Sequence, residues 1–508
     1  MKIEINNAFQ KAFELINQGK NVFITGRAGT GKSTFLQYLC QNIKKNYVLL
    51  APTGVAAVNI GGQTIHSFFR FKPGITIDEA EKKGEKNKSE IYKKLEMLII
   101  DEVSMVRADL FDCVDGFLRK SRKNKKPFGG VQLLLIGDLY QLPPVVKKNE
   151  TGFSSFYQSS YFFSSKVMEE LDLSLVEFEK IYRQSDETFI NILNRIRNKD
   201  LDDEILKKLN KQYQKDFNEE KYQDYIFLTT RNDQAEVINF RNLEKLSGRS
   251  YTFEAEVNGE VDEELYPADV FLTLKKGARV MFLNNDRQDR WINGSLGWVV
   301  SLSKEKVVVK VDDGGVEEVE PYTWEIIENY FDEKEKKIKK KTIGYFSQYP
   351  LKLSWAITIH KSQGKTFDRV VIDIGKGSFT PGQVYVALSR CRTLSGIILK
   401  QPIRKKHIWV DWKVRQFLTN FQYKKSEEVV SFDEKLALIK KAVKNKEKLE
   451  IVYLKAKDEK SKRVILPKKV YQTNFQGYDF WAVEGYCFLR EEERVFNVKR
   501  IVEVRVVK

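Results

Sequence analysis

The sequence predicts an α/β protein built on parallel sheets, and three observations lead there. Short apolar runs, NVFITG, YVLLAPT, MLIIDE and LLLIGD, recur between residue 1 and about 200, each followed by a turn and then by helical spacing. One of these strand–turn–helix units carries a complete phosphate-loop pattern, GRAGTGKS, from Gly26 to Ser33. The same alternation returns at DYIFLTTRN, WAITIHKSQG and RVVIDIG, so a second α/β unit is expected over about 181 to 420. Short apolar runs bounded by turn signals read as buried parallel strands, because such sheets are covered by helices on both faces.

At 508 residues the chain is too long for one ordinary core. A prior of roughly 150 residues per domain divides it into about three to four. The first α/β unit is expected over 1–180, with a small insertion at about 70–94, and the second over 181–420. Within the second, GARVMFLNND, WINGSLGWVVSL and EKVVVKVDDGGVEEVE show alternating residues and Gly-rich turns, which predict an all-β insertion at about 270–340. The charge run DEKEKKIKKK at 332–341 reads most simply as a solvated turn between strands. The polar stretch at 421–433 is expected to be a linker, followed by a separate tail domain over 434–508.

Lys and Arg number 87 against 70 acidic residues, a formal charge of +17. That excess suits a polyanionic partner such as nucleic acid or a membrane surface, and equally a heavily solvated exterior. The four cysteines, Cys40, Cys113, Cys391 and Cys487, lack metal-type spacing, and three histidines are too few for a metal cluster, so neither a disulfide scaffold nor a zinc module is expected. No signal-peptide pattern opens the chain and no long apolar run predicts a membrane span. A soluble, cytoplasmic protein is the expectation.

In the phosphate loop, glycines let backbone N–H groups wrap phosphates at a helix N-terminus, Lys32 supplies a point charge, and Ser33 can ligate Mg²⁺. The strand of LIIDEVSMV ends in Asp101 and Glu102, where one carboxylate can hold the metal shell and its neighbour can polarise a water. A third strand ends in GDLYQLPPV, which places Asp138 and Gln141 at the same carboxyl edge. A second Gly-Lys-Thr, in SQGKTF, fails as a phosphate loop. Its first glycine position, five residues before Gly364, is Ile359, and a β-branched residue in a strand cannot adopt the backbone of a phosphate cradle.

In order along the chain, GRAGTGKST, APTGVAAVNIGGQTIHSFF, LIIDEVSMV, PFGGVQLLLIGDLYQLPPV, IYRQSDETF, SWAITIHKSQGKTFDRVVI and GQVYVALSRCR resemble the motifs of superfamily 1B DNA helicases. The likeness is to the petite-integration-frequency (PIF) helicases, bacterial type, over residues 1 to about 420, and more distantly to RecD-type relatives. It implies two RecA-like P-loop lobes with ATP and Mg²⁺ between them, an SH3-like β insertion in the second lobe, and a strand-separating wedge within the insertion near 70–94. It also implies 5′-to-3′ movement on single-stranded and forked DNA, as a monomer in the bacterial cytoplasm at the nucleoid, with roles in DNA repair, replication and telomere maintenance. Carried over by motif, Lys32, Asp101, Glu102, Gln141, Arg183 and Arg390 are catalytic, the last two as arginine fingers. Gln10, Gly26, Gly29, Thr30, Gly31, Lys32, Ser33, Thr34 and Gly364 contact nucleotide, and Ser33 and Asp101 hold the metal. Thr53, Gly54, Thr64, His66, His360, Lys361, Ser362 and Gln363 line the DNA channel, with Lys365 an exposed, DNA-facing candidate.

The tail, with RVILPKKVYQTNFQGYDFWAVEGYCFLREEERVFNVKRI, resembles the WYL domain. The resemblance implies a β-rich fold whose Trp481, Tyr486, Arg490 and Arg494 line a groove for a nucleotide or single-stranded nucleic acid. These residues read equally as a sheet core and its solvated rim. A different class of function, an ATP-switched nucleic-acid-binding regulator that does not unwind processively, is the alternative that such a tail suggests.

Overall fold

The computed structural model describes residues 6–507 apart from 147–155, 185, 260–262, 264–265, 313, 376, 379, 455–459 and 476–477. The chain divides into two compact units, one of Met1–Leu193 with Asp202–Trp409, the other of Asn194–Leu201 with Val410–Lys508. The first unit holds two RecA-like lobes.

Lobe 1 runs α1 (Asn7–Asn17), β1 (Asn21–Gly26), α2 (Lys32–Asn42), β2 (Tyr47–Ala51), α3 (Gly54–Asn59), β3 (Gln63–Thr64), α4 (Ile65–Phe69), α5 (Ile77–Lys86), α6 (Glu90–Lys94), β4 (Met97–Ile100), α7 (Ala108–Arg122), β5 (Gln132–Ile136) and β6 (Leu173–Phe178). Its strands form one parallel sheet in the order β3-β2-β4-β5-β1-β6. Every residue of β4 and β5 is buried, as expected of central strands covered on both faces. Because β4, β5 and β1 are neighbours, the segments that follow them emerge side by side at the carboxyl edge, where α/β sheets hold ligands. Phe9 of α1 packs against Phe178 at 4.7 Å and Phe35 at 5.2 Å between ring centroids, which fixes α1 beside the phosphate loop. The insertion expected at 70–94 contains the two helices α5 and α6. Thr76 closes a capping box with Glu79 at the start of α5, and Gly84 of α5 lies so near Phe117 O of α7 that a Cβ would sit 2.4 Å from it.

Lobe 2 begins with α8 (Glu187–Arg197), α9 (Asp203–Asn210), β7 (Ile226–Thr229) and α10 (Asn232–Lys245). A β insertion follows: β8 (Tyr251–Glu254), β9 (Glu256–Gly259), β10 (Phe271–Leu274), β11 (Arg279–Phe282), β12 (Leu296–Leu302), β13 (Val307–Val311), β14 (Val316–Val319), β15 (Tyr322–Asp332), β16 (Lys337–Gln348) and β17 (Leu351–Leu353). The chain then returns to the α/β sheet with β18 (Ala356–Thr358), β19 (Val370–Asp373), α11 (Gln383–Leu388) and β20 (Ile397–Leu399), whose parallel order is β18-β7-β19-β20. The antiparallel segment thus spans Tyr251 to Leu353, wider than the 270–340 expected. Its flanking strands β8, β9 and β17 pair with β10, β16 and β11, and so belong to the insertion although no Gly-rich turns announce them.

The charge run at 332–341 is not a solvated turn. Only 333–336 turn, and the KIKKK that follows belongs to β16. The β15–β16 hairpin lies against lobe 1. Asn329 donates through N and Nδ2 to Gln63 Oε1 at 3.1 and 2.5 Å, Asn46 Nδ2 donates to Lys336 O at 3.1 Å, Ile338 N donates to Asn46 Oδ1 at 3.0 Å, and Arg70 pairs with Glu328 at 2.8 Å. Lys340 Nζ donates to Gly61 O of lobe 1, while Lys339 pairs with Asp332 and Glu335 and Lys341 with Glu328.

The second unit contains α12 (Trp412–Val429), α13 (Phe432–Asn445) and an antiparallel sheet of β21 (Lys448–Leu454), β22 (Lys460–Phe475), β23 (Tyr478–Cys487), β24 (Glu492–Asn497) and β25 (Ile501–Val507), ordered β24-β23-β22-β21-β25. Ile439 of α13 closes its core on Leu449, Ile451, Ile465, Val483 and Phe496. The linker expected at 421–433 is helix up to Val429. Its Lys, Gln and Glu residues are good helix formers, Ser431 starts the next helix with a capping box to Glu434, and Ser426 is buried with its hydroxyl on Val502 O at 2.7 Å. Arg415 of α12 donates to Asn198 O at 3.1 Å, so the short segment 194–201 belongs with the tail.

Candidate nucleotide and nucleic-acid site

The turn between β1 and α2 holds the phosphate loop. Gly29 and Gly31 have φ of 80° and 83°, and Gly29 is required twice over, since a Cβ there would lie 2.4 Å from Arg183 Cβ. The buried Thr30 ties the loop by donating to Arg27 O at 2.9 Å. Lys32 Nζ donates to Gly26 O at 2.7 Å and Arg27 O at 3.0 Å, which curls the ammonium into the loop. Burial lowers its proton affinity below the usual lysine value, and Asp138, Glu102 and Asp101 oppose that shift. Ser33 and Thr34 are exposed in the first turn of α2. Gln10 is exposed on α1, one residue from Phe9, whose ring reaches within 3.3 Å of a Cβ placed on Gly31.

Asp101 and Glu102 follow β4. Burial, with the neighbouring Glu102 charge, pushes Asp101 up to about 7. Glu102 is raised by burial too, offset by Lys32 and Arg390. Its φ of 50° is left-handed, a conformation a glutamate holds only when its surroundings impose it. Both adjacent carboxylates keep elevated proton affinity although Lys32 acts on each of them. Together with the Ser33 hydroxyl they offer hard oxygen donors of the kind that suit Mg²⁺, which takes one or two carboxylates and completes its shell with phosphate and water. Among the described residues no cluster of three or more His, Cys, Asp or Glu side chains forms a free-standing metal site.

Behind β5, Asp138 is fully buried. It accepts from Tyr140 N at 3.2 Å, Gln141 Nε2 at 3.3 Å and the Tyr385 hydroxyl at 3.4 Å. That same hydroxyl accepts from Ala28 N of the phosphate loop at 3.1 Å, and Gln363 Nε2 reaches Gln141 Oε1 at 3.5 Å. Tyr385, from α11 of lobe 2, therefore joins the phosphate loop to the Asp138–Gln141 turn. The sequence reading missed it. Its only signal was a single hydroxyl inside the apolar run of GQVYVAL, which alone reads as core. Tyr385→Phe removes both bonds while keeping the ring, and a net hydrogen bond of about 1 kcal/mol corresponds to roughly five- to tenfold in rate. We expect kcat for ATP to fall by about that factor with KM little changed; an unchanged kcat would reduce Tyr385 to packing.

Both arginines are here. Tyr182 N donates to Gly29 O at 2.8 Å, which lays the 182–184 segment along the loop. Arg183 Nη1 donates to Ser389 O at 3.3 Å, and burial lowers its proton affinity while Tyr385 and Glu102 favour its charge. Arg390 is 1% exposed. It donates to Val386 O at 3.0 Å, to Ser362 O and Lys365 O at 3.3 Å each, and to Ser389 Oγ at 2.9 Å. Burial, then Arg183, pushes it down to about 9, with Glu102 and Asp138 acting in the opposite sense. Arg390 thus faces the carboxylates and also anchors the turn at 362–365.

That turn differs from expectation. Gly364 has φ 77°, and a Cβ added there would meet no described atom within 4 Å, so it makes the reversal in open space. Ser362 is fully buried and donates to Ile359 O at 2.7 Å, so its hydroxyl organises the turn and is withheld from a strand of DNA. Lys365 is not exposed. Only 9% of it reaches solvent, because its ammonium folds back onto Asn293 Oδ1 at 2.7 Å. His360 is half-buried, which lowers its proton affinity, and Lys361 is exposed. In lobe 1 the hydroxyls of Thr53 and Thr64 cap α3 and α4, accepting from Ala56 N at 3.3 Å and Ser67 N at 3.1 Å. Thr53 is exposed beside Gly54, Thr64 is buried and His66 is half-buried.

In the tail, the four groove candidates do not share a face. Trp481 lies on the core side of β23 with Val483 and Cys487, Lys440 Nζ standing 4.6 Å above its ring centroid. Tyr486 is five positions away and so points to the opposite side, edge-on to Phe488 at 5.2 Å. Arg490 is exposed in the β23–β24 turn, and Arg494, opposite Gly485, pairs with Glu492 at 2.9 Å. Strand alternation therefore keeps all four residues of the groove that the WYL resemblance implies from lining one face.

Comparison with known proteins agrees with this geometry. Residues 3–206 match the PIF1-like helicase family, 353–398 the UvrD-like helicase C-terminal domain, and 434–506 the WYL domain. The ATP-dependent DNA helicase Pif1 of Bdellovibrio bacteriovorus is 33% identical over 434 residues, 83% of this chain and 93% of that one. The crystal structure of Bacteroides sp Pif1 in complex with ADP-AlF4 superposes with a TM-score of 0.76 at 38% identity, covering 83% of this chain and 98% of that one. Bacteroides Pif1 bound to ssDNA gives 0.60 at 40% identity, over 82% and 96%.

Proposed function

The chain belongs to the PIF1-like helicase family, and from that premise we propose a division of labour among its residues. It is an ATP-dependent DNA helicase, with a WYL domain at its C-terminal end. The observation that carries the assignment of roles is the convergence of Lys32, Asp101, Glu102, Asp138, Arg183 and Arg390 on one cleft between two RecA-like lobes, each group feeling the field of others. Lys32 and the loop amides hold the outer phosphates. Asp101 and Ser33 hold Mg²⁺, which when bound neutralises phosphate charge. Glu102 orients and accepts a proton from the attacking water, Gln141 senses the terminal phosphate, and Arg183 and Arg390 stabilise charge that develops on the transferred group.

The lobes move 5′ to 3′ on single-stranded DNA held by exposed groups at Thr53 and Lys361 and half-buried ones at Gly54, His66, His360 and Gln363. Hydroxyls, imidazoles and amides of this kind grip phosphates without reading bases. The protein works as a monomer at forks, on chromosomal DNA, and its tail adjusts DNA affinity or coupling. No helix among the described residues is long and apolar enough to cross a membrane. Helicase models match both lobes, which disfavours an ATP-switched regulator. Forked duplexes carrying one tail test the polarity: unwinding with a 5′ tail and not a 3′ tail is expected, and unwinding of the 3′-tailed fork alone contradicts it.

A further inference from the structure

A cavity of about 510 Å³ opens at the amino edge of the lobe 1 sheet. Lys45 and Asn46 precede β2, Glu96 precedes β4 and Gln132 begins β5, and all four line it. The sheet is parallel, so these ends lie together, at the edge opposite the one that carries the phosphate loop, Asp101 and Asp138. The volume falls within the range of about 300–1,000 Å³ usual for small-ligand sites. Gly19 and Gly130 also line the cavity, each with φ of 78°, and put no side chain into it.

Three cations of this lining have no carboxylate partner among the described residues. Lys45 Nζ is held by neutral oxygens, Ile16 O at 3.1 Å and Gln132 Oε1 at 2.5 Å, and Gln132 is itself fixed by donating to Ile16 O at 2.9 Å and Lys20 O at 2.7 Å. Arg122, at the end of α7, is held by carbonyls: its Nε donates to Gly129 O at 2.8 Å, and its Nη1 to Tyr92 O, Lys93 O and Leu95 O at 2.6, 2.7 and 3.0 Å. Its Nη2 makes no hydrogen bond among the described residues. Lys94 of α6 stands with its Nζ 6.0 Å from the ring centroid of Phe331 and makes no hydrogen bond or ion pair among the described residues. The remaining charged groups of the lining are engaged, Lys93 with Glu90 at 2.7 Å and Glu96 with Asn46 N at 2.7 Å. Three cations thus stand against one carboxylate, and two of the three are fixed in place by neutral acceptors.

We propose that this cavity binds the phosphate groups of a nucleotide-sized anion, with Lys45 and Arg122 as fixed donors and Lys94 supplying a third charge from α6. The proposal goes beyond the helicase reading, which assigns nothing to this edge of the sheet. Donors already held in position lose little freedom when an anion arrives, and a hydrogen bond between ionised partners is stronger than one to a neutral acceptor. A guanidinium and two ammonium groups at separate points suit an anion with several charged oxygens, as a phosphate chain has. Leu95 is the one apolar side chain among the lining residues, so recognition rests on charge and hydrogen bonds. A free nucleotide and the backbone of a DNA strand both carry such phosphates. Asn46, in the same wall, holds Lys336 and Ile338 of the β15–β16 hairpin, so the ligand sits beside the joint between hairpin and lobe 1.

The test uses the full chain saturated with ADP and Mg²⁺, so that the phosphate loop is filled, and titrates inorganic tripolyphosphate into it by calorimetry at matched free Mg²⁺. One saturable equivalent is expected for the wild type. Lys45→Met should weaken it by about ten- to hundredfold, the worth of a hydrogen bond to a charged group, with ADP affinity unchanged. Lys94→Glu, at an exposed side chain, should weaken it by about tenfold or more and decides the matter should Lys45→Met fail to fold. No tripolyphosphate binding by the wild type, or equal binding by the wild type and Lys94→Glu, overturns the proposal. So does a loss of ADP affinity that keeps step with the loss of tripolyphosphate, since that places the anion in the phosphate loop. Anisotropy of a dye-labelled oligothymidylate then separates the two sources: weaker binding by Lys94→Glu that tripolyphosphate no longer worsens assigns the phosphates to a DNA strand, and unchanged binding assigns them to a free anion.

Discussion

Lys32→Ala is expected to lower kcat for ATP by about 10³-fold or more, the scale on which a preorganised charge acts at a transferring phosphate. Single-stranded DNA affinity should stay within about twofold of wild type, because none of the groups assigned to DNA touches Lys32 and salt-dependent affinity counts phosphate contacts. The structure gives the loss two sources. The ammonium that meets the outer phosphates disappears, and Glu102 and Asp101 lose the cation that offsets their burial. The remaining carboxylates then bind protons more tightly, and Asp101, already pushed up to about 7, becomes a poorer metal ligand at neutral pH. Steady-state hydrolysis with saturating oligothymidylate, beside anisotropy on the same oligonucleotide, checks both halves. A variant that loses DNA binding along with hydrolysis would show that the two sites are not separable in this way.

Arg390→Ala and Arg183→Ala should each cost about 10³- to 10⁵-fold in hydrolysis if they act as arginine fingers, but they should not behave alike in other assays. Arg183 gives one hydrogen bond to Ser389 O and lies along the phosphate loop. Arg390 is buried and satisfies carbonyls at Val386, Ser362 and Lys365. Removing it strands acceptors that are worth about 1–3 kcal/mol when left unmade. Arg390→Ala should therefore also lower the melting temperature and weaken the response of hydrolysis to DNA, since the 362–365 turn loses its anchor. Arg183→Ala should leave the melting temperature and the fold-stimulation by DNA close to wild type. Arg390→Lys retains a charge but cannot span the same carbonyls, because the guanidinium fork presents donors that an ammonium lacks. Equal stability and equal DNA stimulation in the two alanine variants would assign Arg390 to the cleft alone.

The nucleotide half of the site was legible because its chemistry is local. A phosphate loop needs glycines, a lysine and a hydroxyl at fixed spacing, and strands of a parallel sheet deliver their C-terminal residues to one edge, so Lys32, Asp101, Glu102 and Asp138 could be read off apolar runs and the residues that end them. The second lobe and its β insertion were visible for the same reason. Boundaries were less so. The insertion begins at Tyr251 and ends at Leu353 because its outer strands β8, β9 and β17 pair with strands inside the expected span, β10, β16 and β11, and the polar stretch before the tail is helix, with Ser426 buried on it among charged residues and bonded to Lys435 of the next helix.

By itself, then, the amino-acid sequence determined the α/β class, the phosphate-loop pattern between a strand and a helix, and the carboxylates that end the neighbouring strands, since each depends on residues a few positions apart. Tertiary structure alone decided what the 362–365 turn touches. Lys365 meets Asn293, Arg390 meets Ser362 and Lys365, and Tyr385 meets Ala28 and Asp138. Tyr385 and Ala28 are 357 positions apart. No local spacing encodes such partners. They are brought together because two sheets and a hairpin bury their apolar faces, and burial then forces each polar group left inside to find whatever donor or acceptor the packing has placed within reach.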